Sequence, residues 1–125
     1  MIRLFPAHPS ALGQIRRFVR DEAVEASLEE GQVEELTLAV SEACANAIRH
    51  TDTREIRLGL KREDHCVVVE IEDQGVFRDR LPVPELEPGG RGILLMTAFV
   101  DEVAIKEGTP HRPGTVVRLV KCRRS

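Results

Sequence analysis

An apolar helix near the middle of the chain constrains the fold more than any other feature. The segment LTLAVSEACANAIRH, residues 36–50, repeats apolar residues at the 3.6-residue spacing of a helix. Up to Ile48 its one charge is Glu42, and its only other strongly polar side chain is Asn46. A helix this apolar is normally covered by other elements. Glu42 and Asn46 are four residues apart and so share one face, where alanine neighbours leave room for a polar ligand. The alternative is an ordinary amphipathic helix with an exposed Glu and Asn.

Composition narrows the class of protein. A chain of 125 residues, 42% hydrophobic and 31% charged, is typical of one globular domain spanning residues 1–125. A net charge of −3, with no Trp or Tyr, argues against direct binding of nucleic acid. The start, MIRLFPAHPS, is too short and too polar for a signal peptide, and no apolar run approaches the length of a membrane span. We therefore expect a cytoplasmic protein that does not bind membranes.

The three cysteines predict thiols, not a disulfide framework. Cys44, Cys66 and Cys122 are odd in number, far apart and embedded in apolar runs. That pattern indicates buried thiols in a reducing compartment. The four histidines do not combine with them at zinc-ligand spacing.

Alternating and helical patterns predict the order β-α-α-β-β-loop-α-β-β. A strand at Ile2–Phe5 precedes a helix over Ala11–Leu28, for which Ser10 is the predicted N-cap, and Gly31 is predicted to break the chain before the central helix. Residues 54–61 and 65–73 are predicted to be two strands of an antiparallel hairpin. They are followed by an aperiodic loop over 74–90, a short helix over 91–99, and two final strands over 101–107 and 114–121. The expected fold is an α+β two-layer sandwich: a mostly antiparallel mixed sheet of about five strands with three helices on one face.

Three arginines cluster on the first predicted helix. Arg16, Arg17 and Arg20 lie within five residues. Such a cluster is either a solvated face or a seat for an acidic partner.

Two further motifs carry polar chemistry. Asp73-Gln74-Gly75 stands where a strand ends, so the carboxylate can accept a hydrogen bond from an exocyclic amine while the glycine lets a flat ring approach. Gly89-Gly90-Arg91-Gly92 precedes a helix, where free backbone N–H groups, the helix dipole and Arg91 favour phosphate. Alone, the first motif is most often a turn, and the second lacks the Lys-Ser/Thr of a P-loop. Their order after the Glu-x-x-x-Asn helix is the more specific signal.

Together these segments resemble the GHKL ATPases, the superfamily of gyrase, heat-shock chaperone and histidine-kinase ATP-binding domains. SEACANAIRH is similar to the N box, EDQG to the first glycine box, GGRGILLM to the second, and GTVVRL to the closing strand. The wording AVSEACANAIRH most resembles the anti-sigma-factor serine kinases. The resemblance implies a histidine-kinase-like ATPase domain that uses ATP and Mg²⁺, binds a sigma factor, and phosphorylates a serine of an anti-anti-sigma partner of STAS type.

The resemblance also implies roles at matching positions. Asn46 would supply an oxygen to Mg²⁺, and Glu42 would act as general base toward, or orient, the attacking hydroxyl. Asp73 would bind the adenine amine. His50 would either touch a phosphate or serve as a structural cap. The other implied nucleotide-binding positions are Gly75, Gly90, Gly92 and Thr115. Arg91 would add positive potential near the phosphates.

One departure and two rival functions accompany the resemblance. Phe77 stands where the family often has a second glycine, and the loop to Gly89 is short and proline-rich, so we expect an altered adenine pocket and lid. A regulatory module that grips its partner, with ATP as a structural ligand or with none, is the main alternative. A histidine-kinase catalytic domain is disfavoured because no phosphoacceptor helical hairpin precedes the domain. By resemblance, the protein is also expected to form a homodimer.

Overall fold

A computed structural model describes residues 1–74, 98–109 and 112–123. In chain order its elements are β1 (Ile2–Pro6), a short 3₁₀ helix (Pro9–Ala11), α1 (Leu12–Glu25), α2 (Glu30–His50), β2 (Glu55–Glu63), β3 (Cys66–Asp73), β4 (Glu102–Thr109) and β5 (Arg112–Cys122). The five predicted strands are all present.

The strands form one sheet in the order β1-β2-β3-β5-β4. Each of these four neighbouring pairs is antiparallel, including the predicted hairpin of β2 and β3. Strand β5 therefore lies between β3 and β4, and its register sets Asp73 opposite Thr115 and Cys66 opposite Cys122. The predicted fold class, an α+β two-layer sandwich, is confirmed.

The hydrophobic core lies between the helices and one face of the sheet. Helix α1 contributes buried Ile15, Phe18 and Val19, and α2 contributes a longer stripe that includes Leu36 and Val40. Alternate residues of the central strands meet them, among them Leu58, Val67, Val69, Ile71 and Leu119. Because side chains alternate across a strand, the intervening positions face away from the helices.

Helix α2 begins six residues earlier than the apolar pattern predicts. Glu29 and Gln32 form a reciprocal capping box at its start, so the first turn is closed by side chains and not by apolar packing. Gly31 lies inside that turn, and the prediction that it breaks the chain is wrong. A Cβ at Gly31 would meet no atom within 4 Å, so the glycine is not required there by crowding.

Helix α1 is shorter than predicted at both ends. It starts at Leu12 after the 3₁₀ turn, and Ser10 is not its N-cap: the Ser10 N–H donates to His8 Nδ1 over 3.1 Å. At the other end Ser27 adopts a left-handed backbone with φ of 65°, which turns the chain out of the helix. The predicted extension to Leu28 is therefore wrong.

The prediction of three free thiols is wrong for two of the cysteines. Cys66 and Cys122 form a disulfide. The Cys122 N–H donates to Asp101 Oδ2 over 2.6 Å, and its carbonyl accepts from Gln32 Nε2 over 2.7 Å. Cys66 and Cys122 are thus a non-hydrogen-bonded pair, the kind whose side chains approach most closely in an antiparallel ladder. Cys44 is a free, buried thiol as predicted, and burial raises its pKa to about 12.

A buried lysine braces the same end of the fold as the disulfide. Lys121 is 5% exposed, and its Nζ donates to the Phe99 carbonyl over 2.6 Å and pairs with Glu35 Oε1 over 3.2 Å. These bonds connect β5 to α2 and to the segment that enters β4. A buried ammonium held this way is satisfied by its partners.

The predicted loop and third helix, residues 74–99, lie almost entirely outside the described residues. Within the part of the chain that is described, no helix is both long enough and apolar enough to cross a membrane.

Candidate functional site

The second half of α2 gathers the polar groups singled out in the sequence. Glu42 is partly exposed, with 31% of its side chain accessible, and Asn46 lies one turn further along the same face. The Arg49 guanidinium contacts both: its Nη2 is 2.7 Å from Asn46 Oδ1 and 3.5 Å from Glu42 Oε1. Arg49 is not among the site residues predicted from the sequence, although its spacing of three residues from Asn46 is a signal that indicates it.

His50 ends the helix. Its Nδ1 is buried, and no described residue gives it a hydrogen-bond partner. A buried polar atom without a partner costs free energy, so this nitrogen is available to a ligand group that enters the site.

Asp73, the last residue of β3, lies opposite Thr115, which is near the start of β5. Both are buried, with exposures of 6% and 7%, and the strand register pairs them directly. Asp73 shares the strand face of Val67, Val69 and Ile71, so its carboxyl group is on the helix side of the sheet. A buried carboxylate beside a hydroxyl is suited to recognise a polar planar ligand.

Gly114, next to Thr115, is required by a close backbone approach. Its φ is +129°, and a Cβ at this position would lie 2.4 Å from the Asp73 carbonyl oxygen and 3.2 Å from Gln74 Cα. Only glycine accepts both conditions. Gly114 begins the GTVVRL segment, but the sequence pattern alone predicted no role for it.

Two threonines and Gln74 join the end of α2 to the end of β3. Thr51 Oγ1 donates to the Ala47 carbonyl over 2.7 Å and accepts from the Thr53 N–H over 3.2 Å. Thr53 Oγ1 in turn accepts from the Gln74 N–H over 3.1 Å. Asp73 and the polar face of α2 are therefore at the same end of the fold.

The arginine cluster lies on the exposed surface of α1. Arg16, Arg17 and Arg20 are all exposed, and Arg16 Nη1 donates to Ser41 Oγ over 3.2 Å. Ser41 immediately precedes Glu42. Arg16 thus contacts α2 one residue before Glu42, and Arg20, one turn further along α1, shares the side of the helix on which Arg16 lies.

The remaining predicted site residues fall outside the described residues. These are Gly75, Gly90, Arg91 and Gly92, together with Phe77.

The oxygens of Asn46 and Glu42 suit a metal ion, such as Mg²⁺, that takes most of its ligands from phosphate and water. Among residues 1–74, 98–109 and 112–123, no group of three or more His, Cys, Asp or Glu side chains could hold a metal ion. Asn46 Oδ1 and the Glu42 carboxylate nevertheless already share one cationic group, the Arg49 guanidinium. Mg²⁺ typically takes one or two protein oxygens and completes its shell with phosphates and water, so this donor set is compatible with Mg²⁺.

Comparison with known proteins gives the site a family context. The family described as histidine kinase-like ATPase domain matches residues 5–121. The serine-protein kinase RsbW of Bacillus subtilis is 29% identical over 133 residues, covering 93% of this chain and 81% of RsbW. The anti-sigma F factor of Bacillus subtilis is 34% identical over 103 residues, covering 72% of this chain and 69% of that protein.

Solved structures share the fold at low identity. A Mycobacterium tuberculosis chain with RsbU and RsbW domains aligns with a TM-score of 0.70 and 18% identity over 98% of this chain, which spans 32% of that longer chain. The histidine kinase domain of a blue-light-activated kinase from Erythrobacter litoralis aligns with a TM-score of 0.59 and 18% identity, over 94% of this chain and 61% of that one.

Proposed function

The chain belongs to the family of histidine kinase-like ATPase domains, and on that premise we propose that it is a serine/threonine-protein kinase of the anti-sigma type. It binds a sigma factor and uses ATP to phosphorylate a serine of an anti-anti-sigma partner of STAS type. The relatives named serine-protein kinase and anti-sigma F factor support this reading. The observation that carries it is that the end of α2, the helix of Glu42 and Asn46, is joined by hydrogen bonds to the end of β3 beside the buried Asp73–Thr115 pair.

Asp73 and Thr115 recognise the base in this proposal. The buried Asp73 carboxylate accepts a hydrogen bond from the adenine amine, and the Thr115 hydroxyl lies beside it. The phosphates are assigned by sequence to the glycine-rich segment, through Gly90, Arg91 and Gly92, and Gly75 gives the ring room to approach. The buried Nδ1 of His50, which has no hydrogen-bond partner among the described residues, is offered to the same ligand.

Asn46 and Glu42 divide the remaining chemistry. Asn46 Oδ1 would hold Mg²⁺, which neutralises charge on the triphosphate when it is bound. Glu42 accepts the proton of the acceptor serine hydroxyl, or orients that hydroxyl toward the terminal phosphate. Its partial exposure lets a protein substrate reach it.

Partners dock beside this site through the arginine surface of α1. Arg16 is anchored next to Glu42 through Ser41, and Arg17 and Arg20 extend the positive surface along the helix. An acidic partner is attracted there and oriented with its serine toward the nucleotide.

The face of the sheet that points away from the helices is the proposed surface for self-association. Ile2 and Leu4 on β1 are 56% and 59% exposed, on the strand face opposite the buried Phe5. Exposed apolar side chains on one sheet face favour contact with another apolar surface, and a two-fold homodimer is the commonest solution.

The protein acts in the cytoplasm, where its sigma factor works, without direct contact with nucleic acid or membrane.

Phosphoryl transfer from labelled ATP to candidate STAS proteins tests the proposal. We expect Glu42→Ala to bind ATP but to lose transfer by roughly 10²- to 10⁴-fold, the usual contribution of a general base. Glu34→Ala, which removes an exposed carboxylate from the same helix, is the matched control and should transfer normally.

Two further variants test the binding of Mg²⁺ and of adenine separately from the role of Glu42 as general base. Asn46→Ala should lose Mg²⁺-dependent binding as well as transfer. Asp73→Asn should abolish most of the thermal stabilisation by ATP, because the amide does not accept from the adenine amine as the carboxylate does. A ligand that binds the native state more weakly raises its stability less. Normal transfer by Glu42→Ala would instead identify a regulatory module that acts by sequestering its partner.

A further inference from the structure

The Arg49 guanidinium occupies the two oxygen acceptors that the proposed function gives to the cofactor and the substrate. It lies 2.7 Å from Asn46 Oδ1 and 3.5 Å from Glu42 Oε1. It reaches them from the next turns of the same helix, three and seven residues along the chain. Its side chain is 57% exposed, so it is held at the surface and not locked in the core.

We propose that Arg49 is a positioning residue that holds the place of the metal cation in the nucleotide-free protein and controls how strongly nucleotide binding depends on Mg²⁺. This inference rests on the proposed function. A guanidinium 2.7 Å from Asn46 Oδ1 and a Mg²⁺ bound to the same oxygen would be two cations in close contact, and their repulsion makes them compete for this position. Binding of Mg²⁺ at Asn46 therefore requires Arg49 to leave it.

The contact also balances the charge of the site before ligand arrives. An unpaired Glu42 carboxylate next to an unpaired Asn46 oxygen would concentrate negative potential on one helix face, and the guanidinium neutralises it. Because Arg49 is long, flexible and mostly exposed, its guanidinium can leave the Asn46 and Glu42 oxygens at modest cost. The displacement therefore weakens Mg²⁺ binding moderately without blocking it.

A second role for Arg49 would leave a different signature. If the guanidinium instead binds a phosphate of the nucleotide, its removal weakens ATP binding whether or not Mg²⁺ is present. If it competes with Mg²⁺, its removal acts only in the presence of the metal. The ratio of the ATP dissociation constant in EDTA to that in MgCl₂ separates the two roles, because any general loss of positive charge cancels.

Titration calorimetry with ATP in MgCl₂ and with ATP in EDTA measures this ratio for wild type and Arg49→Ala. We expect the ratio to rise roughly three- to tenfold in the variant, the effect of removing one exposed ion pair and its charge-assisted hydrogen bond from the competition. Arg62→Ala is the matched control. It removes an arginine of similar exposure, 51%, from an ion pair with Glu22, and its ratio should equal that of wild type.

Each outcome decides the point. A ratio unchanged or lowered in Arg49→Ala, with ATP binding intact in wild type, overturns the role of Arg49 and leaves the proposed function standing. No ATP binding by any of the three proteins in either buffer overturns the proposed function, and the role of Arg49 with it. Thermal unfolding without ligand confirms that the variants are folded, as the exposure of Arg49 leads us to expect.

Discussion

Replacing Gly114 with alanine should damage both the stability of the sheet and the nucleotide site. The backbone at Gly114 has a φ of +129°, and the new Cβ would lie 2.4 Å from the Asp73 carbonyl oxygen. That oxygen belongs to the backbone of β3, so it cannot rotate away as a flexible side chain would. Either β5 or the Asp73–Gln74 backbone must move.

The size of the effect follows from these two terms. Holding a non-glycine residue in a rarely populated backbone region costs about 1–3 kcal/mol. Relieving the clash by a shift of packed strands adds on the order of 1 kcal/mol, the lower range for overpacking. We therefore expect the free energy of unfolding to fall by about 2–4 kcal/mol. For 125 residues the unfolding entropy is roughly 0.26 kcal/mol/K, so the Tm should fall by about 8–15 °C.

Two other glycines provide matched controls in the same thermal and urea unfolding assays. At Gly59, in β2, a Cβ would have 3.9 Å to its nearest neighbour, so Gly59→Ala should change stability by about 1 kcal/mol or less. At Gly31, in the first turn of α2, nothing lies within 4 Å, and alanine should raise stability by about 0.5–1 kcal/mol. The stabilisation by ATP should shrink only in Gly114→Ala. If Gly114→Ala unfolds like Gly59→Ala, the close approach to Asp73 is not a constraint and the reasoning is refuted.

Three further predictions concern the cysteines and the arginine surface. Reducing the Cys66–Cys122 disulfide, which spans 56 residues, should lower the free energy of unfolding by up to about 4 kcal/mol through loop-closure entropy, as measured in urea with and without reductant. A Cys66→Ser, Cys122→Ser double variant should not respond to reductant, and equal stability of oxidised and reduced wild type would contradict the prediction. Because burial raises the pKa of Cys44 from 9.0 to about 12, the folded protein keeps a proton that the unfolded chain loses, so stability should decline between those pH values, by at most about 1.4 kcal/mol per pH unit. That component should be missing from Cys44→Ala, and identical pH profiles would argue against it. Charge reversal at Arg20 or Arg16 should weaken binding of the STAS or sigma partner, more at low salt than at high salt, while ATP affinity stays unchanged; pull-down and calorimetry measure the two, and normal partner binding by both variants would mean that these arginines are only a solvated face.

The strands and the polar face of α2 were accessible from local pattern. Alternation in β2 and β3 reports which side chains meet water, and that requirement is the same wherever the strand lies in the sheet. The spacing of Glu42 and Asn46 likewise places them on one face whatever the helix packs against.

Helix ends escaped the same reasoning. The capping box of Glu29 and Gln32 uses residues outside the apolar stripe, so periodicity placed the start of α2 too late. The end of α1 depends on Ser27 in a left-handed conformation that serine seldom adopts, and the sequence carries no glycine there to mark it.

The sequence by itself determined the alternation of elements, the two-layer class, and the order of motifs that led to the ATPase family, because these follow from short-range spacing. Tertiary structure alone decided which distant residues meet. The register of β3 on β5 joined Cys66 to Cys122, although their apolar flanks predicted separate thiols, and the same register set Asp73 beside Thr115 and against Gly114. Register is fixed by the packing of a whole sheet against its helices, and a change of one residue would turn every side chain to the other face, so no local window of sequence contains it.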